Sequence, residues 1–283
     1  MFLSHLFPTL GMVMQVFRQI FVFACALVFM LVGSVLVPTV GQAVEEKGKK
    51  VPVSKTLKCE KLSPVLLLLH GFGGNGAAME RMSGNLAPQA RSRGWVVLTP
   101  TASDVSGRVW DVRPDSLDVK TLTSLVQNVP CRDTKRTYVA GHSMGAHMTS
   151  TMMCETRLFA AAAPVAGVMI TPKCKGSNTL VAAFHGKLDT IVPISGPVPA
   201  YLHPWIPEWG QLNRYVALAR IAASDGCVFR NGSVKTTMFY GQQVSNFGCN
   251  KFLMVNPVGG HEWPTYASQI IWETFLRTVK RGN

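Results

Sequence analysis

"YVAGHSMGAHM", residues 138–148, sets Ser143 between Gly141 and Gly145, with β-forming residues ahead and helix-forming residues behind. A strand that turns abruptly into a helix around G-x-S-x-G forms a nucleophile elbow, a tight turn that lifts the serine hydroxyl clear of the backbone. Side chains at the flanking positions would collide with the neighbouring strand and helix, hence glycine at both. Glycine and serine are also common in ordinary turns. The pentapeptide needs a matching context along the rest of the chain.

That context is a repeating order of strand and helix. "PVLLLLHG" (64–71) is apolar without alternation, as in a strand covered on both faces. The spacing predicts a helix over 77–94, a strand over 95–102, and a helix opening at the Asp-Ser pair of "DSLDVKTLTSLVQNV" (115–129). "RTYVAG" (136–141) is the strand that feeds the elbow. "FAAAAPVAGV" (159–168), "TLVAAFHG" (179–186) and "KFLMVNPVGG" (251–260) read as further strands. Ile271, Phe275 and Val279, four apart, mark the apolar face of a C-terminal helix. This order defines an α/β chain with a mostly parallel sheet and helices on both faces. Reactive groups in such sheets gather in loops at the carboxyl ends of the strands.

A serine hydroxyl is a weak nucleophile at neutral pH and needs a base, usually histidine oriented by a carboxylate. Two later strand ends supply them: Asp189 in "FHGKLDTIVP" and His261 in "GGHEWP". The order Ser143, Asp189, His261 is that of α/β-hydrolases. Asp225 in "ASDGC" is the rival carboxylate, His203 the rival base, and Glu262 a second group able to orient the imidazole. His70, His142, His147 and His185 are read as shaping loops.

Acyl transfer also needs donors for the oxyanion. The N–H of Met144, just after the serine, is one, and the N–H of Phe72 in the "HGFGGN" loop is the expected second. This loop has no Walker lysine-serine pair and no acidic ribose partner, which disfavours nucleotide binding. No cofactor or metal is expected. Between acid and base, "YLHPWIPEWGQL" carries Tyr201, Trp205 and Trp209 among prolines, a stiff aromatic segment suited to holding substrate. Packing of these rings onto the domain is the plainer alternative, and Trp110 is a further candidate for the cleft.

"LLLLHGFGGN", "YVAGHSMGAHM", "APVAG", "FHGKLDTIVP" and "GGHEWP" together resemble the secreted polyhydroxybutyrate depolymerase and feruloyl or acetylxylan esterase group of α/β-hydrolases, some of them carbohydrate esterase family 1 enzymes. The likeness runs over most of 60–278. It implies a triad of Ser143, Asp189 and His261, and structural roles for Cys174 and Cys227. The chain departs from that group around the pocket, where His142 and Met144 replace the usual glycine and asparagine beside the serine. The segment 201–212 is individual to this chain.

The remaining features bear on location and partners. From Ile20 to Val37 the chain is uncharged and apolar, preceded by Arg18 and followed by small residues up to Ala43. This describes a secretory signal peptide over 1–43, with an uncleaved membrane anchor as the alternative. Residues 44–283 then form one catalytic domain. Six cysteines remain after Cys25 and lack metal-ligand spacing, so disulfides are expected in an exported chain. Spacing does not choose among the 15 pairings of six cysteines. Neighbour pairing, Cys59 with Cys131, Cys154 with Cys174 and Cys227 with Cys249, is the expectation.

At 47% hydrophobic and 15% charged, the chain is not a disordered one. Its net charge of +13 is spread out, without an arginine-rich stripe or a nucleic-acid motif. The expected partner is an ester substrate, including a polymeric one, with no nucleic acid and no membrane after signal cleavage. An acyltransferase or peptidase on the same triad is the alternative enzyme. A non-catalytic basic cell-surface binding protein is the alternative from another class.

Overall fold

The computed structural model of the protein describes residues 61–102, 108–175, 178–227 and 234–278. The expected signal segment 1–43 and Cys59 lie outside the described residues. The described chain builds an eight-stranded sheet. In chain order the strands are β1 (Ser63–Leu69), β2 (Val96–Leu98), β3 (Arg132–His142), β4 (Ala161–Val165), β5 (Leu180–Gly186), β6 (Lys235–Phe239), β7 (Gln242–Asn246) and β8 (Lys251–Asn256). The helices are α1 (Gly76–Met82), α2 (Leu86–Ser92), α3 (Leu117–Gln127), α4 (Met144–Glu155), α5 (Arg214–Ser224) and α6 (Ala267–Arg277).

Strand order across the sheet is β2-β1-β3-β4-β5-β8-β7-β6. Neighbours from β2 to β8 run parallel, and β7 and β6 add an antiparallel hairpin at one edge. Alternate side chains of the apolar strands enter opposite layers. Leu67, Leu69 and Val139 pack under α3, α4 and α5, through Leu122, Met148 and Leu218 among others. Leu66, Leu68 and Tyr138 pack under α1, α2 and α6, through Met79, Leu86 and Phe275. A strand buried on both faces can be apolar throughout, and this is why β1 carries no alternation.

Helix starts follow the local chemistry. Ser116 accepts the Val119 amide at 3.2 Å, and Asn75 accepts the Ala78 amide at 2.8 Å. The helix expected over 77–94 is instead two, α1 and α2, broken at Gly84, whose φ is +57°. Pro88 is the physical reason: in a continuous helix its ring would meet the carbonyl of Gly84, whereas α2 places it in a first turn. Ile271 and Phe275 are fully buried on α6 as their spacing predicts, while Val279 lies outside the described residues.

Among the described residues, disulfides join Cys154 to Cys174 and Cys227 to Cys249, two of the expected neighbour pairs. No helix among the described residues is long and apolar enough to cross a membrane.

Candidate active site

Loops from the carboxyl ends of β1, β3, β5 and β8 converge on one cavity of about 470 Å³. β3 delivers Ser143. Its backbone has φ +55° and ψ −117°, a conformation that L-residues rarely adopt. The turn holds because both flanking residues lack side chains. A Cβ on Gly141 would lie 2.3 Å from the Gly145 carbonyl oxygen, and one on Gly145 would lie 2.1 Å from the Leu69 carbonyl oxygen. α4 can therefore start directly against the end of β1. The Ser143 amide donates to the Val165 carbonyl at 2.9 Å and ties the elbow to β4.

The loop after β8 delivers His261, whose Nε2 lies 2.8 Å from Ser143 Oγ. Its Nδ1 lies 2.7 Å from Asp189 Oδ2, in the loop after β5. These two loops are zipped together. The Lys187 amide donates to the Asn256 carbonyl and the Leu188 amide to the Gly259 carbonyl, each at 2.8 Å. Gly186 is required at this seam, since a Cβ there would sit 2.1 Å from the Gly260 carbonyl oxygen.

Asp189 is buried and held on both oxygens. Oδ1 accepts the Ile191 and Val192 amides at 2.9 and 2.8 Å, while Oδ2 faces His261 and, at 3.4 Å, His185 Nε2. Burial alone would raise its pKa. The His185 and His261 imidazoles and the Val192 amide outweigh burial and keep the carboxyl below the ordinary range. With Asp189 ionised, the His261 Nδ1–H donates to it. Nε2 is then the acceptor for the serine hydroxyl.

Phe72 and Met144 both line the cavity beside Ser143. The Met144 N–H is the first of α4, so it has no partner within the helix and carries the positive end of the helix dipole. The Phe72 loop is underpinned by His70 and Trp110. His70 Nδ1–H donates to the Gly71 carbonyl at 2.7 Å, and its Nε2 accepts the Ala102 amide at 3.0 Å. The Trp110 indole N–H donates to the His70 carbonyl at 2.9 Å. Trp110 is thus a buried strut under the loop and does not line the cavity.

The other histidines have structural partners. His142 Nε2–H donates to the His261 carbonyl at 3.2 Å, tying elbow to base, and its ring also lines the cavity. Burial, with the neighbouring His261, lowers its pKa to about 4. His147 Nδ1–H donates to the Ser143 carbonyl at 3.0 Å; burial and the nearby Arg214 lower its pKa to about 3. His203 Nε2–H donates to the Val198 carbonyl at 3.0 Å, and His203 does not line the cavity. Glu262 accepts the Gly260 amide at 2.7 Å, so it orients the loop rather than the imidazole. Asp225 pairs with Lys251 at the opposite end of β8.

Tyr201 and Trp205 face the cavity. Trp209 does not. It sits on a separate 3-10 turn, Glu208–Gln211, and packs half-buried on the main core. Apolar residues absent from the sequence reading complete the walls: Ile191, Val192, Leu202 and Ile206. Ile191 and Val192 follow Asp189 so closely that the turn bringing the acid to His261 also brings them to the cavity. Among the described residues no group of three or more His, Cys, Asp or Glu side chains is placed to hold a metal ion.

An elbow serine with histidine and aspartate on later strand ends of a mostly parallel sheet defines a class. The alpha/beta hydrolase family model matches residues 66–274, and the chain belongs to that family. Feruloyl esterase B of Piromyces equi is 28% identical over 150 residues, covering 48% of this chain. The chain spans only 28% of that relative's length. Among solved structures, the acetyl xylan esterase from Aspergillus awamori superposes with a TM-score of 0.56 at 18% identity, over 76% of this chain and 89% of that one. At that identity the likeness concerns the fold. The Bacillus cereus carboxylesterase is more distant, with a TM-score of 0.48 at 13% identity over 76% and 89% of the two chains.

Proposed function

We propose that the protein is an exported serine esterase that hydrolyses carboxylic esters through an acyl-enzyme. Ser143 Oγ attacks the ester carbonyl carbon while His261 Nε2 takes its proton. Asp189 fixes the imidazole tautomer and stabilises the imidazolium that forms. The Phe72 and Met144 amides receive the oxyanion of the tetrahedral intermediate. On collapse the alcohol leaves with the proton from His261. Water then repeats the sequence on the acyl-enzyme, releasing the acid and restoring Ser143.

The observation that carries this reading is the unbroken line from Ser143 Oγ through His261 to Asp189, at 2.8 and 2.7 Å, opening on an apolar cavity. The named relatives support an ester as substrate, either a plant-polysaccharide acyl ester or, from the motif resemblance, a polyhydroxyalkanoate. Export is supported by the apolar segment before Ala43 and by the disulfides Cys154–Cys174 and Cys227–Cys249.

The test is hydrolysis of p-nitrophenyl esters from acetate to octanoate and of methyl ferulate by residues 44–283, beside Ser143→Ala. The expected result is turnover by the parent and none above background by the folded variant. Equal turnover by both would remove Ser143 from the chemistry. Inertness of the folded parent toward every ester, with no labelling of Ser143 by an organophosphonate, would leave a binding protein on a hydrolase scaffold.

A further inference from the structure

Phe72 is the one proposed oxyanion donor that no regular element holds. Met144 is fixed by α4, but Phe72 lies in the turn Gly71-Phe72-Gly73-Gly74, closed by a 3.0 Å bond from the Gly74 amide to the Gly71 carbonyl. Gly73 has φ +68°. Three glycines in four residues give this backbone the widest conformational freedom of the four loops. His70 and Trp110 fix the His70 and Gly71 carbonyls at the start of this turn, but a donor that must sit within tenths of an ångström of a developing oxyanion needs bracing at Phe72 itself.

The Phe72 ring provides a contact. It meets the Trp205 indole edge to face, with ring centroids 5.0 Å apart and planes at 75°. Among the described aromatic rings Trp205 is its one partner. The segment bearing Trp205 is, by contrast, stiff. Pro204 and Pro207 flank Trp205 and Ile206, and the Trp205 and Ile206 amides both donate to the Leu202 carbonyl, at 3.1 and 2.9 Å. Ile206 is buried in the main core. Beyond it, the fully buried Arg214 donates through Nη1 to the carbonyls of Gly210 and Val168 at 3.0 and 2.9 Å, clamping the end of the segment to the loop after β4.

We infer that Trp205 is a positioning residue for the oxyanion hole: its indole braces the Phe72 ring and so sets the Phe72 N–H against the reacting carbonyl. This deepens the esterase reading and rests on it. The segment 201–206 then has two effects on one substrate. Its apolar side chains contact the bound ester, and through Phe72 it adjusts the catalytic rate. A bound group that presses on Trp205 is expected to tighten the donor against the oxyanion and to raise kcat as well as affinity.

The test separates bracing from simple contact with substrate. Trp205→Ala, Trp205→Phe, Phe72→Ala and the Trp205→Ala/Phe72→Ala pair are assayed on p-nitrophenyl acetate, whose acyl group is too short to rely on a distant wall, and on the octanoate. Both side chains are partly exposed, at 36% and 47%, so their truncation is compatible with folding, which near-ultraviolet circular dichroism checks. Removing an oxyanion donor costs about 10²–10³ in kcat, so loosening one should cost about tenfold or more.

Bracing requires that Trp205→Ala lower kcat on acetate and octanoate alike, that Trp205→Phe recover most of it, and that the double variant be no worse than the worse single one. A change confined to KM on octanoate, or losses that multiply in the double variant, would overturn the inference and leave the esterase reading standing. Should Trp205→Ala not fold, Trp205→Leu is judged by the same criteria. A parent inert on every ester defeats both readings together.

Discussion

The ammonium of Lys251 lies 2.5 Å from Oδ2 of Asp225, with both side chains buried. Lys251 also donates to the carbonyls of Thr179 and Cys249, each at 2.8 Å. Burial lowers the lysine pKa and the Asp225 carboxylate opposes that shift. Asp225 is therefore occupied in holding a buried charge at the amino end of β8.

Two neutralising substitutions should part cleanly on this account. Asp189→Asn is expected to reduce kcat by about 10⁴, since the imidazole loses the carboxylate that sets its tautomer. Asp225→Asn is expected to cost about 3–5 kcal/mol of stability by leaving Lys251 uncompensated, with kcat per folded molecule unchanged. Urea unfolding and steady-state kinetics on both variants check this. A severe kinetic loss in Asp225→Asn with a mild one in Asp189→Asn would reverse the roles.

Acid should weaken the fold before it protonates the carboxylates. His142 and His147 have folded pKa values of about 4 and about 3, below the ordinary value of 6.5. Between those limits the unfolded chain binds protons that the folded chain refuses, so stability is full above pH 6.5 and falls as pH drops through the window. Each histidine contributes about 1.4 kcal/mol per pH unit there. His70, also lowered by burial, acts in the same sense. Chemical denaturation at pH 7 and pH 5 should show the loss, and His147→Gln should reduce its slope. A flat profile over that range would contradict the burial of neutral imidazoles.

Gly145→Ala tests the elbow's packing. Its new Cβ would meet backbone, the Leu69 carbonyl oxygen at 2.1 Å, and not a side chain that can turn aside. α4 must then move away from β1, taking Ser143 and the Met144 amide with it. A loss of about 3 kcal/mol or more and a fall in kcat are expected together. Wild-type stability in this variant, measured by thermal melting, would count against so close an approach.

The Cys227–Cys249 bond closes a ring of 22 residues' separation around the β6–β7 hairpin. Breaking it with Cys227→Ser/Cys249→Ser should cost about 3 kcal/mol, the chain entropy returned to the unfolded state. Because Cys249 precedes β8 and His261 follows it, the bond lies at the end of the sheet away from the triad. The kcat of the folded variant should match that of the parent, and a large kinetic defect would argue against this separation.

Much of the arrangement was legible because it rests on local chemistry. Unbroken apolar runs mark strands covered on both faces, and Ser143, Asp189 and His261 each follow such a run. What stayed hidden lacks that signal. All of β6 is exposed, so no core imprints a pattern on "KTTMF". Its one clue is the turn at Tyr240 and Gly241, both at positive φ, which joins it to β7. The break at Gly84 was signalled by Ser83, Gly84 and Asn85 and by Pro88 four residues on, but the apolar spacing on either side of it reads as one helix. Trp205 and Trp209 look equivalent in sequence, and only the separate segments that carry them, the turn after Ala200–Leu202 and the 3-10 turn Glu208–Gln211, send one ring to the cavity and the other to the core. The walls of Leu202 and Ile206 depend on the same tertiary detail.

The seam between the loops after β5 and β8 has a consequence for how such a chain can be remade. β5 pairs directly with β8, yet more than sixty residues separate them in sequence. The chain leaves at the carboxyl end of β5, returns to pair with that strand at Lys251 beside Val181, and meets the loop after β5 again only once β8 is complete. Everything between Val192 and Lys251 is thus an excursion that crosses from one end of the sheet to the other, anchored by the paired strands β5 and β8. Tyr201, Leu202, Trp205 and Ile206 of the cavity wall lie on that excursion, whereas Asp189 precedes it and His261 lies beyond β8. Cassettes grafted within this excursion would recast what the enzyme accepts while leaving Ser143, Asp189 and His261 on their own strand-end loops, which makes this stretch the natural place for diversification by evolution or by library design.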